Sequence, residues 1–160
     1  MLSKKSKSIL KFELNSITLS EGFMKAQAIW IEGYRSVIDN GRGHSVVADL
    51  PKDLGGADTG ATALELAVMA LAGCVATIFK LIAGKRRLEF SSLRVEIEAE
   101  KPKDAKTVTG FKGLLEIETS ASREEVEKTF KTTLENCPVG VIFENAGVKG
   151  EWEIKVKPMA

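Results

Sequence analysis

Cys74 and Cys137 are the only two thiols in this chain, and they define the chemistry open to it. Cys74 lies inside an apolar run, Leu66-Ala-Val-Met-Ala-Leu-Ala-Gly-Cys-Val-Ala-Thr77. Cys137 lies in Asn136-Cys-Pro-Val139. Two cysteines and the single histidine, His44, make poor zinc chemistry, because a structural zinc takes four such ligands. No Cys-x-x-Cys occurs, and one histidine in a strand-like stretch supplies no credible Ser-His-Asp triad. A redox pair is open to such residues: a thiolate attacks, and a second thiol captures the oxidised sulfur.

Each residue also has a plain reading. Free cysteine is among the most buried residue types, so Cys74 reads as a small core hydrophobe. With Pro138 at the first helical position, Cys137 stands at an N-cap. The positive end of a helix favours anions and lowers a thiol pKa there. Glu65 reads first as a helix-capping residue. Arg35 and Arg42 read first as surface or turn cations, though either guanidinium beside a thiolate would stabilise it.

The elements that must position these residues follow from pattern. Met24–Ile31 and Tyr34–Ile38 read as strands, and Asp39-Asn-Gly-Arg-Gly43 as a hairpin turn, because Asn-Gly readily takes positive φ. His44–Asp49 is a third strand, followed by a Gly- and Asp-rich loop over Pro51–Gly60. Thr62-Ala-Leu-Glu65 has capping-box spacing and starts a long helix to about Ile82, with Gly84 as its stop. That helix is apolar nearly all round and is expected to be central and covered on several sides. Leu93–Lys101 and Thr109–Thr119 alternate apolar and charged residues as strands. Ser122-Arg-Glu-Glu125 is a second capping box, opening a helix with Val126, Phe130 and Leu134 as its buried stripe. A short helix over Val139–Ala146 and a strand over Val148–Lys157 complete an α+β pattern with mostly antiparallel pairing.

Composition bounds the function. Net charge is +1 and no basic stripe with interleaved aromatics occurs, so a nucleic-acid partner is not expected. Two cysteines are too few for a secreted disulfide scaffold. The chain is expected to be cytoplasmic, where a disulfide is transient. Ala61–Ala83 is the most apolar stretch, but Glu65 and Lys80 interrupt it, and it reads as a buried helix rather than a membrane span. Residues 1–23 read as an extension and 24–160 as the domain.

On the runs Glu65-Leu-Ala-Val-Met-Ala-Leu-Ala-Gly-Cys74 and Asn136-Cys-Pro-Val139, with Asp53-Leu-Gly-Gly-Ala-Asp-Thr-Gly60 and Gly43-His-Ser-Val-Val-Ala-Asp49, the chain resembles the OsmC/Ohr family from Met24 to Pro158. The resemblance implies an OsmC-like fold: antiparallel sheets, a long central cysteine-bearing helix and an intertwined homodimer. It also implies thiol peroxidase chemistry on a small organic hydroperoxide, without a cofactor. Cys74 would be oxidised to a sulfenic acid, and Cys137 would resolve it as a disulfide. An external dithiol, a lipoyl protein or a thioredoxin-like one, would reduce that disulfide. Arg35 matches the arginine that steadies the thiolate and the leaving oxygen. The family's peroxidases carry a glutamate ten positions before the first cysteine. Here it is Glu65, nine before, a rotation of about 100° on a helix. A non-enzymatic module holding an apolar ligand and a redox sensor are the competing expectations.

Overall fold

A computed structural model describes residues 24–159. The extension read over residues 1–23 lies outside the described residues. The chain divides into two compact units at the Gly60–Ala61 junction.

In the first unit, β1 (Gln27–Glu32), β2 (Arg35–Asp39) and β3 (Ser45–Ala48) form an antiparallel three-stranded sheet in chain order. The turn after β2 forms where Asn-Gly places it. The Asn40 carboxamide oxygen accepts the Arg42 backbone N–H at 2.9 Å, and Gly41 and Gly43 take φ of 73° and 83°. β1 is exposed along its whole length, Trp30 included. After β3 a 3-10 turn (Lys52–Leu54) folds the loop back.

In the second unit, α1 (Ala63–Arg86) starts at the expected box. Thr62 Oγ1 accepts the Glu65 N–H at 3.2 Å, and Glu65 Oε2 accepts the Thr62 N–H at 2.7 Å. The stop is not Gly84. The helix runs to Arg86, and Arg87 takes the left-handed conformation at φ 56°. The Leu88 N–H reaches the Ala83 carbonyl and the Arg87 N–H the Gly84 carbonyl, which is the paired bonding of a Schellman end. Ala83 and Leu88 are both buried, so their apolar contact ends the helix where glycine was expected to.

Within the chain α1 is covered on one side. Leu71, Val75, Phe79 and Ala83, spaced four apart, are buried against α2, α3 and β4. Met69 and Leu81, off this stripe, are 59% and 56% exposed. A single chain has elements enough for one side of this helix only. Among the described residues it is the one helix long and apolar enough to cross a membrane.

β4 (Ser92–Glu100) and β5 (Gly110–Glu118) pair as an antiparallel hairpin. α2 (Arg123–Glu135) begins at the Ser122–Glu125 box, and α3 (Pro138–Asn145) follows it. β6 (Lys149–Lys157) then pairs with β5 in parallel, because the two helices carry the chain back to the end from which β5 began.

Aromatic side chains fix this layer. In the β5–β6 register Phe111 faces Gly150 and Trp152 faces Gly113, and each ring lies over the opposite glycine. The Phe111 and Trp152 rings meet edge-on at 5.6 Å. Phe130 of α2 abuts Trp152 at 5.1 Å, and Phe143 of α3 abuts Phe111 at 6.4 Å. Phe143 thereby ties the last turn of α3 to β5.

Candidate functional site

The second unit brings the two cysteines together. Cys74 sits near the middle of α1, half-buried, and packs on the core. Cys137 is the N-cap of α3 and fully buried. The Cys137 thiol donates to the Cys74 sulfur across 3.0 Å, and both thiols are free. The Gly140 backbone N–H donates to Cys137 Sγ at 3.3 Å, so the sulfur does the work a serine oxygen does at other N-caps. A Cβ on Gly140 would stand 3.3 Å from Cys137 Cβ, so a glycine here lets the thiol sit tight under the helix.

The expected lowering of the Cys137 pKa is reversed. Burial, and then the bond to Cys74, push it up to about 11 from 9.0, against the Gly140 N–H, which lowers it. Desolvation of a buried thiolate outweighs one helix-terminal N–H. The pair is therefore unequal. Cys137 keeps its proton and points it at Cys74, whose sulfur is the more accessible of the two.

Glu65 is not brought to Cys74 within the chain. Nine helical residues separate them by about 13.5 Å along the axis and about 180° around it. Its carboxylate serves the cap, and the Thr62 backbone N–H, then the Thr62 hydroxyl, hold it below its ordinary pKa.

Arg35 belongs to the first unit, where it opens β2. Its Nε donates to Thr59 Oγ1 at 2.7 Å and lies 4.0 Å from Asp49 Oδ2, while Nη1 pairs with Glu32 at 2.9 Å. Asp49 is buried and organises the loop beside it. Its Oδ1 accepts the Leu50 N–H, and its Oδ2 accepts the N–H groups of Ala57 and Thr59 and the Thr59 hydroxyl. These bonds, the Thr59 hydroxyl first, hold the carboxyl below its ordinary pKa although burial raises it. The guanidinium is thus fixed by Glu32, Asp49 and Thr59, with its side chain 28% exposed. Sequence reasoning missed Asp49 and Thr59. The one available signal was a lone carboxylate directly after the apolar Val46-Val-Ala48.

Among the described residues no group of three or more His, Cys, Asp or Glu side chains is placed to hold a metal ion.

Residues 55–153 match the protein family described as OsmC-like protein, more than half of the 160-residue chain. No curated protein matches the sequence. Several solved structures share its fold. An OsmC-like protein from Mycoplasma pneumoniae is similar at a TM-score of 0.75 and 14% identity, over 84% of this chain and 97% of that one. An organic hydroperoxide resistance protein, OsmC, from Legionella pneumophila is similar at 0.61 and 15%, over 86% and 97%. The organic hydroperoxide resistance protein OhrB of Bacillus subtilis is similar at 0.60 and 17%, over 83% and 98%. Identities this low carry the fold.

Proposed function

This chain belongs to the OsmC-like protein family, and on that premise we propose that it is a thiol-dependent peroxidase reducing organic hydroperoxides to alcohols. The observation that carries the reading is the 3.0 Å approach of two free thiols in unlike surroundings. The Cys74 thiolate attacks the terminal peroxide oxygen, the O–O bond breaks, and an alcohol leaves behind a sulfenic acid. Cys137 attacks that sulfenic sulfur, water departs, and a disulfide joins the pair. An external dithiol then restores both thiols by exchange. The apolar neighbours of Cys74 on α1 favour an organic peroxide over a small polar one.

Arg35 is assigned to the developing negative charge on the peroxide oxygens, a role for which a fixed, forked guanidinium is suited. Its bonds to Glu32, Asp49 and Thr59 support that assignment by holding it in one orientation. Glu65 supports the site only indirectly, through the start of α1. The functional unit is a homodimer, in which a second copy covers the exposed apolar side of α1 around Met69 and Leu81.

Mass spectrometry after one equivalent of cumene hydroperoxide tests the reading. The expected result is a loss of about two daltons, mapped to a Cys74–Cys137 linkage and reversed by dithiothreitol. An unchanged mass would sink it and leave a ligand-binding module with inert thiols.

A further inference from the structure

We propose that Thr59 is a positioning residue for the reaction: its hydroxyl holds the Arg35 guanidinium by Nε and leaves Nη2 as the nitrogen offered to the peroxide oxygens. This inference rests on the peroxidase reading above, and it names the residue and the atom through which Arg35 serves that reading. The three guanidinium nitrogens are not equivalent. Nε donates to Thr59 Oγ1 at 2.7 Å, and Nη1 donates to Glu32 Oε1 at 2.9 Å. Nη2 has no hydrogen-bond partner among the described residues. Its N–H groups are therefore the ones open to the negative charge that develops on oxygen as the O–O bond breaks.

Thr59 suits this role because both sides of its hydroxyl are engaged. The O–H donates to Asp49 Oδ2 at 2.8 Å, so the oxygen turns a lone pair to Arg35 Nε. Asp49 does not take the guanidinium itself. Its Oδ2 lies 4.0 Å from Nε, and its oxygens accept the backbone N–H groups of Leu50, Ala57 and Thr59. A carboxylate that meets an arginine directly commonly takes two of its nitrogens in a fork, whereas the hydroxyl takes one. The interposed hydroxyl thus passes on the hold of the carboxylate without covering Nη2. The loop is built to deliver Thr59. Asp58, just before it, takes the left-handed conformation at φ 59°, which is uncommon for a residue with a side chain, and its N–H bonds the Leu50 carbonyl at 3.1 Å. A Cβ at Gly56 would collide with the Leu50 carbonyl oxygen, and one at Gly60 with that of Val47. Glycine on either side of Thr59 lets the loop lie directly on the chain from Val47 to Leu50.

The test is a double-mutant cycle in the full chain, read as the single-turnover rate of thiol loss with cumene hydroperoxide. Thr59→Val keeps the shape of the side chain and the backbone N–H bond to Asp49 but removes the hydroxyl. A misplacement of about 1 Å can cost about 10²-fold, and Thr59→Val is expected to slow oxidation about tenfold or more. Thr59→Ser, which keeps the hydroxyl, should recover most of that loss. Arg35→Met removes the guanidinium, and in that background Thr59→Val should change the rate by less than about twofold. An unslowed Thr59→Val overturns the proposal. Equal slowing in both backgrounds, as a disrupted loop would give, overturns it too, as does a Thr59→Ser no faster than Thr59→Val. Arg35→Met as fast as wild type would remove Arg35 from the mechanism and the proposal with it. Wild-type Cys74 inert to the peroxide would instead bring down the peroxidase reading itself.

Discussion

Gly113→Ala measures how firmly the aromatic cluster holds the layer beneath Cys137. A Cβ at Gly113 would stand 2.3 Å from the Trp152 ring, against a comfortable carbon–carbon separation of about 3.5–4.0 Å. The ring would have to retreat by more than an ångström, and Phe111 and Phe130 stand edge-on against it at 5.6 and 5.1 Å. Overpacking of this kind costs about 1–3 kcal/mol, and each disturbed ring pair adds about 0.5–1.5 kcal/mol. We expect a loss of about 2–6 kcal/mol from those two sources together. Without the ring the same substitution should stabilise by about 0.5–1 kcal/mol, the ordinary gain of replacing a strand glycine. In a Trp152→Leu background the sign should therefore turn. Urea unfolding followed by circular dichroism, on the four proteins of the cycle, reads the coupling at about 3 kcal/mol. Effects that add to within about 0.5 kcal/mol would mean that the ring does not press on this glycine, and would refute the packing argument. Because Phe111 also abuts Phe143 of α3, Gly113→Ala should slow Cys74–Cys137 disulfide formation as well.

Three further outcomes are expected. Iodoacetamide at pH 8 should label Cys74 well ahead of Cys137, whose pKa is pushed up to about 11; peptide mapping that finds Cys137 labelled first would reverse the roles assigned to the pair. Glu65 and Glu125 are both held below their ordinary pKa of 4.5 by the Thr62 and Ser122 caps. Depressed carboxyls contribute stability above their unfolded pKa that is lost as pH falls through the folded one. The fall in melting temperature below about pH 4.5 should thus be shallower in Glu65→Gln/Glu125→Gln than in wild type. Asp49→Asn keeps the shape but not the charge beside Arg35, so kcat with cumene hydroperoxide should drop about tenfold or more while Cys74 alkylation is unchanged; an unaltered kcat would remove Arg35's support from the mechanism.

What the sequence announced was local chemistry. Thr62–Glu65 and Ser122–Glu125 form the boxes their spacing promises, because each box needs only one turn of chain. The Asn-Gly hairpin and the strand alternation of β4 are legible for the same reason. The end of α1 was not, since it depends on Leu88 meeting Ala83 and not on the glycine in between. In α2, Thr129 and Thr133 are fully buried although a pattern of apolar residues passes over them. Their hydroxyls bond the Glu125 and Thr129 carbonyls, leaving the methyls to the core. The parallel β5–β6 pairing is set by two intervening helices that no strand pattern encodes. At the site, the two cysteines stood out as the only thiols, but their 3.0 Å approach is made by packing between elements and was not readable. Nor was the direction of the Cys137 pKa shift, because burial is a property of the packed layer. Asp49 and Thr59, which fix Arg35, come together only once the loop between them has folded.

The two cysteines stand 63 positions apart along the chain, and between them lie β4, β5 and α2. A bond between their sulfurs would tie that length of polypeptide into a ring, and a ring has fewer ways to be unfolded than an open strand. For a ring of this size the loss of freedom in the unfolded chain corresponds to about 4 kcal/mol. Chemistry at one sulfur would then be felt as resistance to melting across most of the second unit, and the folded lifetime of the protein would carry a record of the oxidant it last met.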